Sequence, residues 1–276
     1  MSCIDLGTRC LLEIQGADAI RYLNGQVTQD VRLLVQHPNT ALASCVTDAK
    51  GRLQAYVTLY LVETSPPTLW VEAPWELRES LFVRLSRYLI ADDAEILDRS
   101  EEFRLVHRID SETKEKEFFH ARFGVPGWDH WVPAIAAPIE RGMLSIEDME
   151  ALRIEHGVPR WGYELSEGLL PPEAGLESHA ISYQKGCYIG QEIISRMKSA
   201  GKINRKLHRF HVKREGIERG CSLVNEQGED VGVITSVSQP HAMGYVTRKG
   251  LDIKEFGIRM IGGTCVANAV CVKDRD

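Results

Sequence analysis

Lys185-Gly186-Cys187-Tyr188-Ile189-Gly190-Gln191-Glu192 is the most distinctive stretch of this 276-residue chain, and the fold is read outward from it. Gly186 and Gly190 flank Cys187-Tyr188-Ile189. Glycines so close together let a backbone bend sharply or approach a ligand. Lys185 stands two residues before the thiol, and an ammonium near a cysteine favours the reactive thiolate. In an extended strand, residues two apart share a side, which would bring Lys185 and Cys187 together. Gln191 and Glu192 add polar groups able to orient a ligand or close a hydrogen-bond network. The plainer alternative is that Cys187 is a small buried hydrophobe in a glycine-bent strand. Spacing alone leaves both readings open.

Three further segments carry recognisable patterns. Residues 152–159 read Leu-Arg-Ile-Glu-His-Gly-Val-Pro, and residues 170–176 read Leu-Pro-Pro-Glu-Ala-Gly-Leu. Near the N-terminus, Gly16, Asp18, Ala19, Leu23, Gly25, Thr28, Asp30 and Val31 form a spaced set. Together with Lys185 to Glu192 and the following Arg196, these resemble the YgfZ family, whose signature is K-G-C-[FY]-x-G-Q-E-x-x-x-R. That family is related to the T-protein (aminomethyltransferase) of the glycine cleavage system. The resemblance runs from about residue 7 to about residue 214, with a compatible β-rich tail.

The resemblance implies an α+β fold: a T-protein-like, folate-binding ring of mixed α/β subdomains with a small C-terminal β-barrel. It implies tetrahydrofolate or a derivative as ligand, and a role in assembling or repairing iron–sulfur clusters. The partners would then be client enzymes or assembly proteins. Cys187 and Lys185 would carry the chemistry. Arg153, Glu155, Gly186, Tyr188, Gly190, Gln191, Glu192 and Arg196 would face the folate. The T-protein residue matching Glu155 binds the pterin ring, and a carboxylate can accept two parallel hydrogen bonds from such an edge. The alternative for Glu155 is a solvent-facing helix end. Positions two apart on a helix point in different directions, so Arg153 and Glu155 are not expected to share one ligand.

One departure separates this chain from the T-protein, which carries adjacent aspartates in a strand after a Gly-Gly turn. Aligned on Thr47-Asp48-Ala49-Lys50-Gly51, this chain has Gln54, Ala55 and Tyr56 there. Without that acid/base group, aminomethyl transfer is disfavoured. A folate-dependent one-carbon transferase using another group remains the alternative function.

Composition sets the outer bounds. The hydrophobic fraction of 43% and charged fraction of 26% are those of an ordinary folded chain. A net charge of −6 argues against a broad nucleic-acid footprint. Seven cysteines without a C-x-x-C argue against a disulfide framework or a zinc site, and no metal ligand set is expected. No leader and no apolar run of membrane-spanning length is visible, so the expected compartment is the cytoplasm, without membrane association.

The elements follow from periodicity. Residues 9–14, 41–47, 53–63, 69–71, 94–98 and 103–109 read as strands. Gly16-Ala17-Asp18 opens a short helix with Ile20 and Leu23 inward, and Thr28 caps a second turn. Leu77, Leu81, Leu85 and Tyr88 form one stripe of a helix over 75–90. Residues 110–140 show no assignable pattern. Ser145 and Asp148 form a capping box for a helix ended by Gly157 and Pro159. From 206 onward, short strands at 206–213, 221–224, 231–238, 242–248 and 264–272 suggest a barrel. The expected domains are therefore 1–205, itself split near 100–145, and 206–276. His208 and His211, three apart in a strand, point to opposite faces, which argues against a shared metal. Lys198, Lys202, Arg205, Lys206 and Arg209 form a basic stretch suited to folate glutamates or an acidic partner, or simply to solvent.

Overall fold

Every second residue of the strand spanning Leu53–Thr64 is buried on one side: Leu53, Ala55, Val57, Leu59 and Leu61. The even-numbered residues Tyr56, Thr58 and Tyr60 therefore emerge on the other face. This two-sided strand explains how the fold builds its interior. The computed structural model describes residues 2–109, 117–136, 142–201, 203–260 and 265–272.

In chain order the elements are β1 (Ser2–Gly7), β2 (Cys10–Gln15), α1 (Ala19–Gln26), α2 (Leu33–Gln36), β3 (Leu42–Thr47), β4 (Leu53–Thr64) and β5 (Pro67–Ala73). Next come α3 (Arg78–Ser86), β6 (Glu95–Asp98), β7 (Phe103–Ile109), β8 (Phe118–Phe119), β9 (Trp128–Pro133), α4 (Ile146–His156) and α5 (Gln191–Ala200). The last part holds β10 (Arg205–Val212), β11 (Ser222–Val224), β12 (Asp230–Ser238), β13 (His241–Thr247), β14 (Glu255–Arg259) and β15 (Cys265–Val272).

Three sheets result. A five-stranded antiparallel sheet runs β3-β4-β5-β2-β6, a four-stranded sheet runs β1-β7-β9-β8, and β10-β13-β12-β11-β14-β15 close into a barrel. One face of the five-stranded sheet packs on α1 and α3 through Tyr22, Leu23, Leu81 and Leu85. Each such leucine contributes about 1.5–3 kcal/mol by leaving water. The opposite face meets the four-stranded sheet through Leu11, Tyr60, Leu105 and Trp131. The barrel has its own core around Phe210, Leu223, Ile234 and Phe256.

The helix expected over 75–90 is a 3₁₀ turn at Trp75–Leu77 followed by α3. Its stripe holds at Leu77, Leu81 and Leu85, but Tyr88 lies beyond the helix end and is exposed. The capping box of α4 has both halves: Asp148 N–H donates to Ser145 Oγ at 3.1 Å, and Ser145 N–H donates to Asp148 Oδ2 at 3.0 Å. Gly157 ends the helix in the left-handed region, at φ 74°.

Several expectations are corrected. β1 and β14 are strands that the sequence reading missed. Thr28 is no cap. Its buried hydroxyl donates to Ala180 O at 2.6 Å and accepts from Cys45 N–H at 2.9 Å, tying the N-terminal sheet to the 180s. The extended geometry that would bring Lys185 and Cys187 to one side does not form: the segment is an irregular loop, and α5 begins at Gln191. No helix among the described residues is long and apolar enough to cross a membrane.

Candidate functional site

A central cavity of about 1340 Å³ opens where the five-stranded sheet, α4, the 170s, the end of α5 and strand β10 of the barrel converge. β4 presents Tyr56 and Thr58 to it, and β5 presents Glu72. Tyr56 OH lies 3.3 Å from His179 Nε2, and both residues line the cavity. Burial pushes the Tyr56 phenol above its ordinary range and the His179 imidazole below its own.

Beside them lies a buried charge cluster centred on Asp129 of β9. Its carboxylate accepts from Tyr60 OH at 2.8 Å, His107 Nδ1 at 2.8 Å, His120 Nδ1 at 2.7 Å, and Arg122 Nε and Nη2 at 3.1 and 2.8 Å. Burial opposes the Asp129 charge, but Arg122, His120 and these hydrogen bonds outweigh it and hold the carboxyl well below its usual range. Burial likewise opposes ionisation of Glu72, and Arg122 and Arg9 prevail, bringing it to about 2. Arg122 Nη2 stands 3.1 Å and Arg9 Nη2 2.7 Å from Glu72. Two carboxylates thus face two guanidinium groups, which is how a buried cluster of four charges avoids an uncompensated ion. Burial also pushes His107 below the ordinary histidine range.

The family signature sits elsewhere. No residue from 185 to 192, nor Arg196, lines the cavity; α5 reaches it only through Met197 and Lys198. Lys185 is buried, and its ammonium donates to Asn24 O, Val27 O and Gln29 O at 2.5, 2.8 and 2.7 Å. Burial pushes it down to about 7. Cys187 is exposed. The loop therefore turns Lys185 inward and Cys187 outward, because the strand that would place them on one side does not form. The buried-hydrophobe alternative for Cys187 is excluded by the same exposure.

The glycines divide too. A Cβ on Gly190, at φ +89°, would stand 2.5 Å from Asp48 O and 2.9 Å from Gly51 Cα. Gly190 is thus explained by close packing on the β3–β4 turn. Thr47 Oγ1 donates to Ile189 O at 2.5 Å across the same contact. A Cβ on Gly186 would meet nothing within 4 Å. Tyr188 is buried with Ile181 and Ile194. Gln191 Nε2 reaches Gly186 O at 3.5 Å. Glu192 and Arg196 pair at 2.6 Å on the exposed side of α5.

Arg153 borders the cavity, but its guanidinium is taken up structurally. It bonds Glu150 Oε2 at 2.6 Å, Glu164 Oε2 at 3.1 Å and Ser236 Oγ at 2.7 Å, locking α4 to the barrel. Glu155 is exposed and outside the cavity lining. Two positions along α4 turn it away from the Arg153 side, as the helical spacing anticipated. Of the basic stretch, Lys198, Lys206 and Arg209 line the cavity, and Arg205 pairs with Glu173 at 3.0 Å. Lys202 lies outside the described residues. His208 borders the cavity while His211 is exposed, and among the described residues no three His, Cys, Asp or Glu side chains are arranged to hold a metal ion. At the place of the T-protein aspartates, Gln54 accepts from Arg84 Nε at 2.7 Å, Ala55 is buried in the helix-side core, and Tyr56 faces the cavity.

No family model matches the chain. It is similar to the curated "tRNA-modifying protein YgfZ" of Escherichia coli O7:K1, 27% identical over 235 residues, 75% of this chain and 71% of that protein. The protein of the same name from Shigella boydii serotype 4 is 28% identical over 236 residues, with the same shares covered. An uncharacterized Haemophilus influenzae protein is 27% identical over 221 residues, 74% of this chain and 71% of that one. The resemblance to YgfZ is thus matched by similarity, over 75% of this chain, to proteins bearing that name. The structure matches glycine cleavage system aminomethyltransferase T from Bartonella henselae with a TM-score of 0.82, over 98% of this chain and 84% of that one, at 16% identity. The fold is therefore the expected T-protein-like one, completed by a closed six-stranded C-terminal barrel.

Proposed function

We propose that the chain binds a reduced folate, tetrahydrofolate or a derivative, in its central cavity, and supports iron–sulfur cluster assembly or repair in client enzymes. The observation that carries this reading is the cavity itself: a lined space of about 1340 Å³ at the junction of three sheets, in a T-protein-like fold. Small-molecule pockets usually span about 300–1,000 Å³, so an extended ligand with a heterocycle at one end and a charged tail at the other has room. Lys198 and Lys206 are among the lining residues, and neither has a carboxylate partner among the described residues, Lys198 Nζ standing 3.7 Å from the Tyr183 ring centroid. They suit the glutamate tail.

Cys187 serves as the contact to the client. It is the exposed thiol of the signature loop, and it lies outside the cavity lining. One thiol cannot hold a cluster, which usually takes four ligands, so the cluster is shared cargo and not a resident cofactor. β4 brings no carboxylate to the cavity at 54–56, so purified protein is expected to form no methylene-tetrahydrofolate from an aminomethylated carrier. The relatives' name refers to tRNA modification. We place any tRNA on the client side, since a net charge of −6 provides no broad surface for an anionic polymer.

Calorimetric titration with tetrahydrofolate tests the binding: saturable heat is expected, and none at millimolar ligand would sink the reading. Glu155→Ala separates two placements of the pterin. A carboxylate outside the cavity leaves affinity unchanged within about twofold, whereas a loss of about tenfold, worth about 1.4 kcal/mol, returns Glu155 to the site. Aconitase-type activity in cells carrying Cys187→Ser, beside wild type and a deletion, tests the thiol. Activity at the wild-type level would remove Cys187 from the mechanism.

A further inference from the structure

Two side chains on the charge cluster remain incompletely used. Arg122 spends Nε and Nη2 on Asp129, Tyr60 and Glu72. Its Nη1 makes no hydrogen bond among the described residues. His120 gives Nδ1 to Asp129 Oδ2 at 2.7 Å, and its Nε2 makes none either. Both residues line the cavity, and neither leftover nitrogen is sealed in the protein interior. Both side chains hang from the same oxygen, since Arg122 Nη2 lies 2.8 Å from Asp129 Oδ2. They are therefore neighbours whose positions are set by one fully buried carboxylate.

We propose that Arg122 Nη1 and His120 Nε2 form a donor–acceptor pair that reads the lactam edge of the ligand's ring. The Asp129 carboxylate can only accept, so His120 Nδ1 carries the proton of that hydrogen bond, and in the Nδ1–H tautomer it selects Nε2 offers its lone pair. Arg122 offers only N–H donors. A ring carbonyl accepts from Arg122 while the adjacent ring N–H donates to His120. A carboxylate, which only accepts, satisfies just the Arg122 half; a lactam satisfies both. This inference rests on the folate reading of the cavity and assigns the pterin end to the Asp129 wall, opposite in chemistry to the lysines at the tail side.

The test uses folic acid and its 4-amino analogue, which differ only at ring position 4. The 4-amino compound reverses the edge: an amine donor meets Arg122, and a ring lone pair meets His120. Wild type is expected to bind folic acid at least about tenfold more tightly, since both hydrogen bonds of the edge are mismatched in the 4-amino compound and a single mismatch in a desolvated site is already worth about tenfold. His120→Leu leaves Asp129 its Tyr60, His107 and Arg122 partners, so the cluster should still fold, as an unchanged melting temperature would verify. It should weaken folic acid about tenfold and shrink the ratio between the two ligands, leaving only the discrimination that Arg122 supplies against the amine. Equal binding of both compounds by wild type, or an unchanged ratio in His120→Leu, overturns the subsite and leaves the folate reading standing. No binding of either compound at millimolar concentration removes both. Guanosine carries the same lactam edge without the tail. If it displaces folic acid at equal concentration, the edge belongs to a purine and the pterin assignment falls.

Discussion

The central cavity and the signature loop contrast in how each is written and how each is held. The loop is eight consecutive residues, and its fixed features are backbone ones: a lysine capped by three carbonyls and a glycine pressed on a turn. Its thiol is exposed. The Asp129 wall has no local motif. Tyr60, Glu72, His107, His120, Arg122 and Asp129 come from separate strands and a loop, and they are held by charge in a buried setting. A motif therefore marks a surface here, and the recess is assembled from residues that only tertiary structure brings together.

The largest effect should fall on the wall. Asp129→Asn removes the charge that compensates Arg122 and should cost about 3–5 kcal/mol, the range for breaking a buried pair by neutralising one partner. Urea unfolding measures it, with Cys187→Ser as the loop counterpart, expected within about 0.5 kcal/mol of wild type. Comparable losses in both would erase the contrast. Within the loop, Gly190→Ala should be the costly change. Its Cβ would press on Asp48 O and Gly51 Cα, both backbone atoms that yield poorly. An overpacking loss of about 1–3 kcal/mol is expected, while Gly186→Ala, facing open space, should lose much less. The order of the two glycines in thermal unfolding decides whether packing, not ligand approach, explains Gly190.

Much of the fold was legible for a physical reason. Strands buried on one face alternate, and β4 shows this from Leu53 to Leu61; the same holds for the stripe of α3 and the cap of α4. What escaped was non-local. β1 gains its identity only by pairing with β7, and β14 only by closing the barrel between β11 and β15. Residues 110–140 lacked periodicity, yet they contribute His120, Arg122 and Asp129. The signal that survives there is compositional: His120, Arg122, Asp129 and His130 crowd a short stretch rich in aromatic residues. In the signature the motif was legible but its backbone path was not: only an extended path would have put Lys185 beside the thiol, and the ligand-facing role of the glycines came from the resemblance.

Lys185 offers a finer test of what the loop's buried half does. Its folded-state value of about 7 lies below the 10.5 of a free lysine, with burial as the leading cause. Between those limits the unfolded chain binds the extra proton, so stability rises with pH across that window. Lys185→Met lacks the group, and the wild-type-minus-variant difference should therefore grow from about pH 7 to about pH 10. Urea midpoints at four or five pH values measure it. A flat or falling difference would mean that the three carbonyls stabilise the ammonium more than burial opposes it, and that the lysine is a permanent charged staple.

The smallest effect concerns reactivity. Cys187 is exposed, Cys3, Cys10, Cys45 and Cys221 are buried, and Cys271 is half-buried. Burial also pushes Cys10 and Cys45 up to about 12, which removes their thiolates at neutral pH. Iodoacetamide labelling followed by mass spectrometry should therefore modify Cys187 before any of these. The sequence reading expected Lys185 to speed that reaction through its charge. The structure gives all three ammonium protons to Asn24, Val27 and Gln29 on the inward side of the loop. Lys185→Met is thus expected to leave the labelling rate of Cys187 unchanged within about twofold near neutral pH, since a charge effect on the thiol needs the cation within several ångströms. A marked slowing with the fold intact would show that the cation does reach the thiol, and would rejoin the two residues that the loop separates. If Cys187 resists labelling until the protein unfolds, its exposure is not functional, and the client-contact role goes with it.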